Sequence, residues 1–213
     1  MVDKKRILIV EGNTREENAE FSEVGINTHT ESLIESINFY KKNLHIDIAN
    51  PSSDQNLNSS IGSLENYDGL IWGGSSLNIY NDTEEIRRQL SFMRECQNKI
   101  KKIFAICWGL QVAVTVAGGE VKKSTKGAHR GIAYDIEINK DGCLHPLYTN
   151  KKLKFNSPAF NFDEVVKIPN SAILLSSNEL NNVMGLNFKT KTSDIWGIQY
   201  HPEITYEKMI SLI

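Results

Sequence analysis

An apolar run over residues 102–107 turns without a linker into a second apolar run over residues 108–117, which Gly118-Gly119 stops. The first run reads as a buried strand and the second as a helix. A strand that enters a helix through so tight a turn is half of a βαβ unit, and such units build sheets with parallel strands. The N-terminal half repeats this grammar. Ile7-Leu8-Ile9-Val10 is a continuous apolar run of the kind buried on both faces of a parallel sheet, and it ends at the turn Glu11-Gly12-Asn13. Residues 14–29 are polar and carry no clear periodicity. Residues 31–43 place apolar side chains at helical spacing, and residues 45–49 alternate as a second strand. Residues 51–63, rich in Ser, Asn, Asp and Gly, read as a loop. Residues 68–72 read as a third strand, closed by Gly73-Gly74-Ser75-Ser76. Asp82 or Thr83 is the expected N-cap of a helix reaching about residue 97.

From Val121 onward the pattern changes. Short strand candidates at 132–138, 172–176, 183–188 and 195–199 follow one another with few helical stretches, before a last helix over 206–213. The expectation is an α/β fold in three layers: a mostly parallel central sheet flanked by helices, with antiparallel strands added in the C-terminal half. At 213 residues the chain suits a single domain, 1–213. A formal charge of −2 gives no electrostatic reason to expect nucleic acid or an anionic membrane as partner. Three cysteines, Cys96, Cys107 and Cys143, form no CxxC pair and suit neither a disulfide framework nor a zinc site, so a reducing, cytoplasmic setting is expected. The apolar stretch after the basic start is too short for a signal segment, and no stretch approaches the ~18 apolar residues of a membrane span.

The strand–helix turn at Cys107 has chemical consequences. It lifts the side chain above the sheet edge, aims a helix N-terminus at the sulfur, and leaves the Trp108 N–H facing the same space. Ala105 and Gly109 keep the turn slim. Taken alone, the turn also fits a buried core cysteine. Some ninety residues later, His201-Pro202-Glu203 follows an alternating segment. Strand ends of parallel sheets gather functional side chains, and Glu203 is close enough in sequence to orient the ring of His201. A solvated surface turn is the plain alternative. Gly73-Gly74 also ends a strand, as a tight turn or as a place where backbone N–H groups meet a ligand. No Gly-Lys-Ser/Thr follows it, so it is not a phosphate loop. His29, His45, His129 and His145 read as structural or solvated, with His129 in a loop over residues 127–131. Cys96 and Cys143 read as structural.

Together, Gly73-Gly74-Ser75, Cys107-Trp108-Gly109-Leu110-Gln111 and His201-Pro202-Glu203 resemble the class I (triad) glutamine amidotransferases, in particular stand-alone proteins similar to the amidotransferase domain of GMP synthase. The order and spacing match across nearly the whole chain. The resemblance implies a flavodoxin-like sheet and an amide hydrolase that needs neither metal nor cofactor. In it Cys107 is the nucleophile, His201 the general base and acid, and Glu203 its partner. It also implies that Gly74 and Trp108 supply the oxyanion hole and that Gln111 helps hold the substrate. Asn161, in Asn161-Phe162-Asp163-Glu164-Val165, stands where relatives often carry a substrate-side histidine. Gly127-Ala128-His129-Arg130-Gly131 is a second departure from the family pattern, and Ala105 in place of glycine a mild one. The reading is hydrolysis of glutamine through a γ-glutamyl thioester, with ammonia passed to a separate synthase. The alternatives are hydrolysis of another γ-glutamyl amide or peptide, or a non-catalytic binding protein of the same fold.

Overall fold

Burial on both faces explains the first strand. In the computed structural model, which describes residues 4–54, 57 and 61–213, β1 (Arg6–Val10) lies between β2 (His45–Ala49) and β3 (Gly69–Trp72), parallel to both. Leu8 and Val10 face one core with Trp72, and Ile7 and Ile9 face the other with Ile71. Polar residues on either face would leave one layer of helices without an apolar floor.

The nine-stranded sheet has the order β2-β1-β3-β4-β11-β10-β9-β6-β7. Beyond β4 (Lys102–Ile106), the strand β11 (Asp194–Ile198) returns from the far end of the chain to run parallel to β4, with Ile198 opposite Ile106. β3 and β4 are also parallel, and the pairings beyond β11 are antiparallel, through β10 (Gly185–Lys189), β9 (Ile173–Ser177), β6 (His129–Ile138) and β7 (Lys154–Asn161). A separate antiparallel pair joins β5 (Glu120–Lys123) to β8 (Asp163–Lys167). The mixed sheet expected from the sequence is therefore present, while β5, β7 and β8 are strands the sequence pattern does not reveal. Each is polar on one face and short, or broken by Pro158, so neither apolar runs nor clean alternation mark it.

Two capping boxes resolve the polar segment over residues 14–29. The Thr14 hydroxyl accepts from the Glu17 N–H while the Glu17 carboxylate accepts from the Thr14 N–H, starting α1 (Arg15–Glu23). Thr28 and Glu31 repeat the arrangement at the start of α2 (His29–Tyr40). The helix expected over 31–43 thus begins two residues earlier and stops at Tyr40. Thr83 caps α3 (Glu84–Lys99), and Asp82, the other cap candidate, sits in a left-handed turn paired with Arg87. The part of the expected 51–63 loop at residues 55, 56 and 58–60 lies outside the described residues, and Leu57 is helical.

α3 and α4 (Trp108–Val116) cover one face of the sheet, and α2 covers the other through Leu33, Ile34 and Ile37. Seven of the nine residues of α4 are buried, which accounts for its all-round apolar sequence. Cys143 is exposed in a short helix, α5 (Lys140–Leu144), and Cys96 is wholly buried in α3. The last helix is α6 (Tyr206–Ser211). Among the described residues no helix is long and apolar enough to cross a membrane.

Candidate active site

The site grows from the end of β4. The Cys107 N–H donates to the Ile198 carbonyl at 2.7 Å, the last rung between β4 and β11. The chain then turns with φ 51° and ψ −101° at Cys107 before α4 begins. A non-glycine residue held there costs about 1–3 kcal/mol, which the surrounding packing must offset. That packing is specific. The Gly109 N–H donates to the Gly73 carbonyl at 3.1 Å, and the Gly73 N–H donates to the Val10 carbonyl at 3.1 Å. A Cβ on Gly109 would lie 2.5 Å from the Trp72 carbonyl oxygen, so only glycine allows α4 to start this close to β3. The Trp108 indole N–H donates to Gln89 Oε1 at 2.7 Å, and the Gln89 amide donates to the Gly12 carbonyl at 2.8 Å. Three strand ends are thereby tied beneath the turn.

The sulfur of Cys107 is close to buried, with the residue 4% exposed. It accepts from Gln199 Nε2 at 3.3 Å and lies 3.7 Å from the Phe160 carbonyl oxygen. It also lies close enough to the His201 ring to raise that ring's pKa. The His201 N–H donates to the Pro158 carbonyl at 2.8 Å, which pins β11's extension against β7. The His201 Nδ1 and Glu203 Oε1 are 2.7 Å apart. An ionised carboxylate only accepts, so Nδ1 carries the proton and Nε2 is left for the sulfur side. Burial by itself would lower the His201 pKa. The Glu203 carboxylate and the Cys107 sulfur outweigh it and push it up to about 10. Burial likewise opposes ionisation of Glu203, but the charge and hydrogen bond of His201 hold its carboxyl below the usual range. The partners of the imidazole thus favour its protonated form over the neutral one.

Gly74 stands beside this array: a Cβ there would be 2.8 Å from His201 Cε1. Because the Gly73 carbonyl points to Gly109, planarity of the trans peptide turns the Gly74 N–H away from that contact. The Trp108 N–H is the first of α4 and has no acceptor inside the helix. Gln111 is buried one turn along α4 from Cys107. Asn161 is buried at the end of β7. Its Oδ1 is 2.9 Å from His129 Nδ1, and its Nδ2 donates to the Asp163 carbonyl at 3.1 Å. His129 is not in a loop but is the first residue of β6, directly opposite Asn161, with Asn178 2.9 Å from its other ring nitrogen. Burial lowers its pKa. The two departures from the family pattern are therefore bonded to each other. The Asp163 carboxylate accepts from Asn78 and Tyr80, which hold the 161–163 segment in place.

Two neighbours of the array escape a reading of the sequence. Gln199 is wholly buried at the residue after the Ile198–Ile106 pair. A polar residue in a buried strand was the available signal. His29, read as structural or solvated, stacks on His201 with ring centroids 5.6 Å apart and 21° between planes. Burial, and then the charge of His201, push its pKa down to about 3. Nothing in the polar segment around it marks that position. Lys208 closes this side, donating to the Thr28 carbonyl at 3.0 Å and Ser32 Oγ at 2.5 Å. A groove of about 730 Å³ between α2 and α6 reaches Glu203 from there.

Known proteins share this arrangement of chain. The chain is 32% identical over 210 residues to a γ-glutamyl-L-1-hydroxyisopropylamide hydrolase of a Pseudomonas species, an alignment covering 96% of this chain and 69% of the relative. It is 30% identical over 161 residues to γ-glutamyl peptidase 3 of Arabidopsis thaliana, covering 70% of this chain and 60% of that longer protein. It is 28% identical over 144 residues to one subunit of a glutamine-hydrolysing GMP synthase of Sulfurisphaera tokodaii, covering 67% of this chain and 71% of that relative. A crystal structure of a glutamine amidotransferase from Thermotoga maritima superposes with a TM-score of 0.71 at 17% identity, over 98% of this chain and 80% of the other, which shows a common fold. The family model for class I glutamine amidotransferases matches residues 27–210, so the chain belongs to that family.

Proposed function

We propose that this protein hydrolyses γ-glutamyl amides through a covalent thioester on Cys107. The observation that supports the reading is the buried His201–Glu203 pair, 2.7 Å apart, whose ring has its pKa raised by the Glu203 carboxylate and the Cys107 sulfur. Cys107 Sγ attacks the γ-carbonyl carbon. The developing oxyanion takes hydrogen bonds from the Gly74 and Trp108 N–H groups, a pair in which each donor is worth roughly 3–4 kcal/mol of barrier. His201 delivers its proton to the leaving nitrogen, the C–N bond breaks, and amine departs from the γ-glutamyl thioester. Water then attacks the thioester, giving a proton to His201; the C–S bond breaks, glutamate leaves, and the Cys107 thiolate and protonated His201 are restored. Glu203 holds the ring in one tautomer throughout. Gln111 and Asn161 border the substrate side, with Asn161 acting from within its bond to His129. Water is the co-reactant, and the scheme places no metal or cofactor.

The substrate we favour is an N-substituted γ-glutamyl amide. The 32% identity to a γ-glutamyl-L-1-hydroxyisopropylamide hydrolase supports this choice, as do the departures from the family pattern at Asn161 and His129, which are bonded to each other. Glutamine is the simplest member of the same class. The match to a GMP synthase component supports the second reading, in which ammonia from glutamine passes to a separate synthase. The three free cysteines suit action in the cytoplasm. The test is glutamate release from glutamine and from a panel of N-alkyl γ-glutamyl amides, with wild type and Cys107→Ala. Faster turnover of substituted amides, lost in the variant, is the expected result. Wild-type turnover by Cys107→Ala sinks the mechanism, and strong turnover of glutamine alone favours the second reading.

A further inference from the structure

Among the described residues, one group of three His, Cys, Asp or Glu side chains brings its ligand atoms within 4.8 Å of one another: His29, His201 and Glu203. Two polar atoms of this group are buried with no hydrogen-bond partner, His29 Nδ1 and Glu203 Oε2. Glu203 is 4% exposed, and its spare oxygen is itself buried. Buried polar atoms are rarely left unpaired, and here two of them lie in one cluster.

We propose that His29, His201 and Glu203 form a binding site for a zinc-like divalent cation that switches the enzyme off. Two imidazoles and one carboxylate are a donor set that Zn²⁺ takes readily, at roughly 2.0–2.2 Å per ligand. Ligands at that radius in a tetrahedron stand about 3.4 Å apart, so small side-chain turns close the present spacing around an ion. The surroundings carry both signs of charge: His201 and Lys208 oppose positive charge at His29, and the Glu203 carboxylate favours it. Lys208 is the neighbouring positive charge, and four carboxylates act on it: Glu203, Glu31, Glu11 and Glu35. Lys208 is itself occupied by Thr28 and Ser32.

Binding would exchange the proton that His201 shares with Glu203 for the metal and fix the ring as a ligand. A ring so held cannot carry protons between the sulfur, the leaving amine and water. The inhibitory outcome rests on the proposed role of His201, whereas the binding itself does not. His29 completes the site, since His201 and Glu203 alone would offer a metal only two protein ligands.

The experiment uses Zn²⁺ titrated by calorimetry, and Co²⁺ followed by its visible absorption, on the full chain carrying Cys107→Ala, which removes the sulfur as a ligand. One equivalent of either ion should bind. His29→Phe in the same background keeps a ring stacked on His201 and should weaken binding at least tenfold, as should Glu203→Gln. If His29→Phe fails to fold, His29→Gln makes the same comparison. In the wild-type protein, Zn²⁺ should stop glutamate release and EDTA should restore it. No binding to Cys107→Ala, or equal affinity with and without His29, overturns the site. Tight binding without any hydrolase activity would leave the site standing and remove only the proposed function.

Discussion

His201 Nδ1 and Glu203 Oε1 lie 2.7 Å apart, and both side chains are 2% exposed. Two residues in one short turn thus form a charged hydrogen bond out of water. Such a pair is costly to break from one side, because the remaining partner keeps its desolvation cost. The interaction with the Cys107 sulfur extends the pair to a three-membered array.

Glu203→Gln should lower kcat about 10²–10⁴-fold, the range typical of a lost proton-transfer arrangement. The amide keeps the shape of the site but removes the charge that favours protonated His201. Steady-state kinetics with a γ-glutamyl amide checks this. Retention of more than a tenth of wild-type kcat would remove Glu203 from the mechanism.

The array should also shape the pH dependence of stability. His201 has a folded pKa raised to about 10, so its stabilising contribution is complete below about pH 6.5 and disappears as pH climbs through about 10. Glu203 is shifted down, so its contribution is complete above its ordinary carboxylate pKa and is lost on acidification. His29, pushed down to about 3, makes the fold lose stability as pH drops from about 6.5 toward 3, because the folded state resists protonation. Urea midpoints from pH 4 to pH 10 should therefore fall at both ends, and Glu203→Gln should flatten the alkaline limb.

Backbone strain at Cys107 yields a third prediction. Cys107→Ala and Cys107→Gly should both lack hydrolysis. The glycine variant should be the more stable by about 1 kcal/mol, since glycine tolerates φ 51° without the Cβ penalty. Denaturant unfolding of the two variants decides it. Equal stabilities, or a more stable alanine variant, would show the turn to be unstrained.

Two glycines separate fold from site. Gly109→Ala places a Cβ 2.5 Å from the Trp72 carbonyl and should destabilise the protein by about 1–3 kcal/mol. Gly74→Ala places its Cβ 2.8 Å from His201 Cε1, so it should displace the imidazole and cut kcat with a smaller loss of stability. Paired unfolding and turnover measurements on the two variants test the contrast.

The sequence determined the α/β grammar, because Ile7 to Val10 and residues 102–117 have no stable arrangement other than burial between helices. It also made Cys107, His201 and Glu203 candidates, through the combined resemblance of three motifs to a family and not through the strand–helix turn or the His-x-Glu alone. It left the segment over 14–29 unread, where capping side chains rather than apolar period define two helices. It placed His129 in a loop, where a glycine-flanked stretch in fact pairs with β7. Only the tertiary structure put β11 beside β4 and so joined residue 201 to residue 107. The same folding stacked His29 on His201, set Gln199 on the sulfur and bonded Asn161 to His129. Those contacts span tens to more than a hundred residues of chain. Sheet order and burial decide them, and no local pattern of residues encodes either.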